Sequence, residues 1–211
     1  MSGSVYGYLM SVAEKRFVTD EEYLAWEREA DFKSEYLRGE IYAMSGAGLN
    51  HNIIASNLNR AIGNRLEGRP RLVLGSDMRV QVDVADAYFY PDISGLCGEF
   101  EFHDDRQDTY KNPQFIIEIL SDSTESYDKG KKFFNYQMLS SLKEYVLVSQ
   151  KMVAVELYRK DGDRWIYQLL RGDDECLELE SVGCEVPIEE VYRNVKFPVD
   201  DEAPVKSDVP R

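Results

Sequence analysis

Two carboxylates and a lysine carry the chemistry legible in this sequence. Glu118 stands in the middle of the apolar run FIIEIL (115–120), flanked by Ile117 and Ile119. A carboxylate in such a setting is costly unless something compensates its charge. Alternation along a strand puts Glu118 on one face with Ile116 and Leu120, and Phe115 with Ile117 on the other. Asp92 follows Pro91 at the head of the short apolar segment PDISGLC. Proline suits the first residue of a strand because it cannot donate to the ladder, although an aspartate there is equally a turn residue. If the strands of Asp92 and Glu118 are neighbours, the two carboxylates repel by roughly 4 kcal/mol at an effective dielectric of about 20. Either one is protonated or a cation lies between them, and an oxygen-rich site of this kind suits Mg²⁺ or Mn²⁺ better than zinc. A salt bridge from a nearby lysine or arginine is the purely structural alternative.

The lysine is Lys132. With Asp128 four positions before it and Tyr136 four after, it forms one face of a helix. That face is either a solvated ion pair or, if the helix packs back on the strand it follows, a device that carries Lys132 over the strand end toward Glu118. Lys129 and Lys131 face elsewhere and read as solvated. His51, beside a helix start, is a cap, a packing group or a contact to phosphate. Gln81 falls opposite the apolar face of its strand. His103 lies in an acidic loop and reads as surface. The 14 tyrosines are scattered and form no base-stacking motif.

These groups need elements to hold them. Thr19 and Glu22 have capping-box spacing, so a helix starts near Asp20. KSEYLRGEIYAMSG predicts two short strands around Arg38-Gly39. Ile53, Ile54, Leu58, Ala61, Ile62 and Leu66 share one helical face, which Gly68 ends. Strands follow at RLVLG, at MRVQVD with Met78, Val80 and Val82 alternating, and near PDISGLC. A long polar loop, GEFEFHDDRQDTYKN, precedes strand 114–120, a helix over about 126–139 and strand EYVLVSQ. VAVELYRKDGDRWIYQLL reads as a hairpin turning at Asp161-Gly162, with a strand near CLELE and a short helix near PIEEVYR after it. Strands and helices so mixed predict an α+β fold with a mixed β-sheet flanked by helices and extra β-hairpins.

The chain has 211 residues, 43% of them hydrophobic, enough for one domain with a substantial core. Residues 1–17 read as a flexible N-terminal arm, 18–197 as the domain, and the proline-rich, charged 198–211 as a disordered tail. No apolar run reaches the length of a membrane span, and the N-terminus lacks the pattern of a secretory signal. Three cysteines without metal-ligand spacing read as free thiols of a cytoplasmic protein. The net charge of −14 excludes coating of nucleic acid by bulk electrostatics; any such contact must be local or work through a bound cation.

Glu35 ahead of RGEIYAMSG, His51 opening a helix, YPDIS, IIEILSDST, YDKGKKFFNY and LKEYVLVS together resemble the bacterial putative-restriction-endonuclease family of the PD-(D/E)XK nuclease superfamily, over about residues 18–197. The superfamily pattern places its lysine two positions after the acid, where this chain has Leu120. In this family the lysine resembles one moved to the following helix, which nominates Lys132. The resemblance implies a restriction-endonuclease-like core and a metal-dependent endonuclease that hydrolyses DNA phosphodiester bonds. Asp92 and Glu118 then hold Mg²⁺ (or Mn²⁺), with the Ile119 carbonyl as a further ligand. The metal activates a water, which Lys132 positions, and Glu35 completes the metal shell. His51, Asp128, Tyr136 and Gln81 are the supporting candidates, and Ser121 and Ser123 resemble a turn that caps the helix of Lys132. A homodimer is expected, because cutting both strands of a duplex favours two-fold symmetry and hairpin 153–170 offers a sheet edge with Trp165 and Tyr167. The competing reading is a catalytically silent nuclease-like fold acting as a nucleic-acid-binding or protein-assembly module. A third is a salt-bridge network that holds no metal.

Overall fold

The computed structural model describes residues 17–197. The expected tail and all but Phe17 of the expected arm lie outside the described residues. In chain order the first half runs α1 (Asp20–Glu27), β1 (Ser34–Leu37), β2 (Glu40–Ala43), α2 (Leu49–Leu66), β3 (Arg71–Gly75), β4 (Arg79–Val82), β5 (Ala87–Phe89) and β6 (Ile93–Cys97). Then come β7 (Thr109–Tyr110), β8 (Phe115–Leu120), α3 (Glu125–Tyr127), a π turn (Asp128–Lys132), α4 (Phe133–Tyr136) and β9 (Glu144–Ser149). The last elements are β10 (Val155–Asp161), β11 (Arg164–Leu170), β12 (Cys176–Leu179), β13 (Cys184–Pro187) and α5 (Ile188–Val191).

The strand that carries Glu118 lies inside a six-stranded mixed sheet of order β11-β10-β9-β8-β6-β3, with β8 parallel to β9 and antiparallel to β6. All six residues of β8 are buried because both of its faces are covered. On one face, Ile54, Leu58 and Ile62 of α2 pack with Phe115, Ile117 and Ile119. On the other, Ile116 and Leu120 meet Val80 and Phe89 of a second sheet and Tyr136 of α4. That second sheet has the order β2-β1-β5-β4-β7. The expected mixed sheet with flanking helices and added hairpins is therefore the one observed.

Local signals explain much of this. Thr19 and Glu22 close the capping box in both directions: the Thr19 hydroxyl accepts the Glu22 N–H at 3.2 Å, and the Thr19 N–H donates to Glu22 Oε2 at 3.2 Å. The β1–β2 hairpin turns on Arg38-Gly39 with both φ values positive (50° and 83°), the conformation of a tight two-residue turn. Asp161 pairs with Arg164, so the second hairpin turns one residue later than expected, on Gly162-Asp163, where Gly162 takes φ 58°. β5, β7 and β13 are short and flanked by turn residues, which hid them from pattern reading. The expected continuous helix over 126–139 is instead α3, the π turn and α4. The described residues contain no helix long and apolar enough to cross a membrane.

Candidate active site

Sheet register brings the two acids together. Ile93 pairs with Ile117 in the antiparallel β6–β8 ladder, and one step further along both chains are Asp92 and Glu118. The Asp92 N–H donates to Glu118 Oε2 at 3.4 Å, and Asp92 Oδ2 accepts the Ile119 N–H at 2.7 Å. The same Oδ2 lies 3.1 Å from Nε2 of His51, in the first turn of α2.

Lys132 approaches from the opposite side. Its ammonium lies 2.8 Å from Glu35 Oε1 and 2.9 Å from Glu118 Oε1, while Asp128 Oδ1 is 3.9 Å away. The lysine is 4% exposed and Glu118 3%. Asp128, a supporting candidate four positions before Lys132, stands farther from the ammonium than the two carboxylates of β1 and β8. The π turn explains the looser contact: its wider winding breaks the i, i+4 stacking of the α-helix. Tyr145 fixes that turn by donating its hydroxyl proton to the Asp128 carbonyl at 3.0 Å. Tyr136, fully buried, reaches Glu118 Oε1 at 3.4 Å, and the Tyr90 N–H donates to Glu35 Oε1 at 3.2 Å.

The electrostatics follow from a surplus of acids. Burial pushes the Glu118 carboxyl well above the usual range, and Asp128, Asp92 and Glu35 push the same way against Lys132. Asp128 is raised chiefly by burial. Burial alone would lower the Lys132 ammonium, but Glu118, Glu35 and Asp128 overrule it and hold the group charged well past its ordinary value. A single ammonium thus answers for several carboxylates.

The site floors a cleft of about 950 Å³. Glu35, Asp92, Glu118, Lys132, Asp128 and His51 all line it, and Tyr136 sits behind. Gln81 does not belong to it. Its amide donates to the Tyr88 hydroxyl at 2.8 Å and its oxygen lies 2.7 Å from His103 Nδ1, so this buried polar group is satisfied within the second sheet. His103 is half-buried there, edge-on to Tyr88, instead of on the surface. Ser121 accepts the Thr124 N–H at 3.2 Å, but α3 begins without a side-chain cap on its first turn. Two cleft residues escaped the sequence reading. Tyr127 lines the cleft with a ring whose hydroxyl is buried and finds no hydrogen-bond partner among the described residues, and Tyr42 lies directly across the hairpin from Glu35. Only the hairpin alternation could have flagged Tyr42, and nothing in the local sequence distinguishes Tyr127.

The donor set is one of hard oxygens. Among the described residues no group of three or more histidine, cysteine or acidic side chains is gathered to cage a metal ion. Asp92 and Glu118, side by side at an open cleft, fit an ion that keeps several waters and takes one or two carboxylates from protein, which is the habit of Mg²⁺.

A family model described as "Putative restriction endonuclease" (Uma2) matches residues 20–189. Two uncharacterized proteins of Synechocystis sp. resemble the chain. The first, sll1609, is 38% identical over 171 residues, 81% of this chain and 97% of that protein. The second, slr1290, is 37% identical over 182 residues, 85% of this chain and 94% of that protein. In three dimensions the chain resembles the crystal structure of "a putative nuclease belonging to DUF820" from Anabaena variabilis. The TM-score is 0.70 at 19% identity, covering 83% of this chain and 97% of that one. At that identity the likeness is one of fold.

Proposed function

The chain belongs to the "Putative restriction endonuclease" family, and on that footing we propose that it is a metal-dependent endonuclease that hydrolyses DNA phosphodiester bonds. One observation supports this reading above the rest: Glu118 meets Asp92 on one side and the Lys132 ammonium at 2.9 Å on the other, at the floor of an open cleft. A fold maintained only for its shape gains nothing from crowding carboxylates that repel one another.

In this reading Asp92 and Glu118 would hold Mg²⁺ or Mn²⁺, with the Ile119 carbonyl as a further ligand and Glu35, paired with Lys132 at 2.8 Å, reaching the shell through a water. Such an ion supplies Lewis acidity and a water of lowered pKa. The protein's own groups do the rest. The Ile119 N–H and His51 fix the Asp92 carboxylate through Oδ2. Tyr136 and Lys132 fix Glu118 through Oε1. The ammonium of Lys132, whose charged form Glu118, Glu35 and Asp128 favour, is placed to orient a water or to offset charge that develops on the phosphoryl oxygens. Cys97, Cys176 and Cys184 are free thiols, which fits action in the reducing cytoplasm.

We extend the proposal to a homodimer. β11 is the edge strand of the six-stranded sheet and exposes Ile166 and Tyr167, while Trp165 is turned inward against Phe133. Light scattering on the purified protein is expected to give twice the chain mass, and a monomer mass removes the dimer. For the chemistry, nicking of supercoiled plasmid in Mg²⁺ or Mn²⁺ is compared among wild type, Asp92→Asn, Glu118→Gln and Lys132→Ala. Wild type is expected to nick and each variant to lose at least a hundredfold. Wild-type silence in both metals, on plasmid and on a single-stranded oligonucleotide alike, refutes the enzyme and leaves a binding or assembly module; equal nicking by all four proteins refutes the site.

A further inference from the structure

The cleft over the acids is neither shaped nor charged for a double helix. Its volume of about 950 Å³ stands at the top of the range of roughly 300–1,000 Å³ typical of small-ligand sites. Glu35, Glu118, Asp128 and Lys132 are all buried at its floor. A duplex keeps its bases paired and stacked between two charged backbones, whereas an unpaired strand can offer its bases to an aromatic side chain.

The cations on the walls agree. Lys33 is tied to Asp77 at 2.8 Å and to the Ser76 carbonyl at 2.9 Å, and Lys132 is tied to Glu35 and Glu118. Of the lysines lining the cleft, only Lys131 has no ion pair among the described residues. Duplex DNA presents a negative charge every 1.7 Å or so, and tight binders neutralise several phosphates at once. One free lysine beside this many acids cannot do that.

Aromatic surface is what the cleft offers instead. Tyr42 stands opposite Glu35 in the β1–β2 hairpin and lines the cleft with its side 43% exposed. Its hydroxyl donates to Glu40 Oε2 at 2.6 Å, which holds the ring in place. Tyr127, on the segment that leads into Lys132, lines the same cleft.

We propose that the cleft receives an unpaired DNA strand, with a base stacked on Tyr42. Base stacking on an aromatic ring is worth about 1–3 kcal/mol per base and is open only to a strand whose bases are unpaired. The inference rests on the nuclease reading and narrows its substrate to flaps, gaps, frayed ends or free single strands.

Binding and cutting are measured separately on one labelled oligonucleotide, either alone or annealed to its complement. Anisotropy in Ca²⁺ reads affinity, and a gel in Mg²⁺ reads cleavage. The single strand is expected to bind at least tenfold tighter than the duplex. Tyr42→Ala is expected to lose about tenfold in single-strand affinity, as removal of one stack does, and Tyr42→Phe to regain it because the ring is what stacks. Equal or tighter binding of the duplex overturns the inference while leaving the nuclease intact if the duplex is cut. An unchanged Tyr42→Ala, or no binding of either form, also overturns it. A single strand that is bound with the expected Tyr42 dependence but never cut supports the cleft assignment and sinks the nuclease.

Discussion

Replacement of Lys132 by methionine keeps most of the stem volume and deletes the charge. Two carboxylate oxygens then lose a partner, at 2.8 and 2.9 Å. At an effective dielectric near 20, each contact is worth roughly 5–6 kcal/mol of direct attraction. The cost of burying the ammonium offsets most of that, and breaking a buried pair from one side costs about 3–5 kcal/mol net. For a chain of this size each kcal/mol moves the melting temperature by about 2–4 °C, so Lys132→Met is expected to melt about 6–20 °C lower at pH 8. The deficit depends on pH with a definite sign. Glu118 already has its folded-state pKa raised above the ordinary 4.5 by burial and by Asp128, Asp92 and Glu35, and loss of the ammonium raises it further. A carboxyl with a raised folded-state pKa holds its proton better folded than unfolded, so ionising it costs stability as pH climbs above the unfolded value. The deficit is therefore small near pH 4.5 and grows toward pH 8. Thermal melts of both proteins in EDTA across pH 4.5–8 read it directly. A variant that melts with wild type at pH 8, or whose deficit is the same at both ends, refutes this account of the site's charge balance.

Further consequences are open to the same instrument. Mg²⁺ or Mn²⁺ at ten to a hundred times its Kd is expected to stabilise wild type by about 1.4–2.7 kcal/mol, which is roughly 3–10 °C, and Asp92→Asn/Glu118→Gln by nothing measurable; equal shifts in both would place the ion elsewhere. Thr19→Ala removes one arm of the capping box and is expected to cost about 1 kcal/mol without changing plasmid nicking, and a loss of nicking would tie α1 to the site. Leu120→Lys in the Lys132→Met background puts an ammonium two positions along β8 on the face of Glu118, and is expected to recover part of the melting temperature; no recovery would mean that the helix, and not merely the charge, is required.

The fold was legible wherever one signal spanned a whole element. The capping box of Thr19 and Glu22, the α2 stripe from Ile54 to Leu66 and the unbroken apolarity of β8 each depend on nearest neighbours along the chain. The covering of β8 on both faces is why its pattern reads as a continuous run instead of an alternation. What escaped was set by tertiary packing. The three residues of β5 form a strand because Tyr36 and Val80 flank them across the ladder, not because of their own propensity. The π turn has no sequence period of its own. It is held where Tyr145 bonds the Asp128 carbonyl and where Lys132 must turn inward. Gln81 misled for a related reason: a polar residue opposite an apolar face reads as exposed, yet here a second layer carrying Tyr88 and His103 receives it.

The site was legible in its acids and less so in what balances them. Asp92 and Glu118 declare themselves because a carboxylate next to a strand's apolar core needs a reason. Their closeness could be argued only conditionally, since register across 26 positions of chain is fixed by the ladder and not by either residue. Lys132 supplies one positive charge to Glu35, Glu118 and the more distant Asp128, and Asp92 lies on the far side of Glu118, where His51 reaches it instead. Lysine as a point charge can serve from a helix as well as from a strand, so Leu120 two positions after Glu118 does not empty the site of its ammonium. But one ammonium faces four acids, Glu35, Asp92, Glu118 and Asp128, that line the same cleft. A divalent cation at that place would relieve the repulsion that the salt bridges leave standing. On this view the salt-bridge network and a metal need not be rivals: the lysine offsets part of the acid cluster's charge, and the charge it fails to cancel would draw an ion.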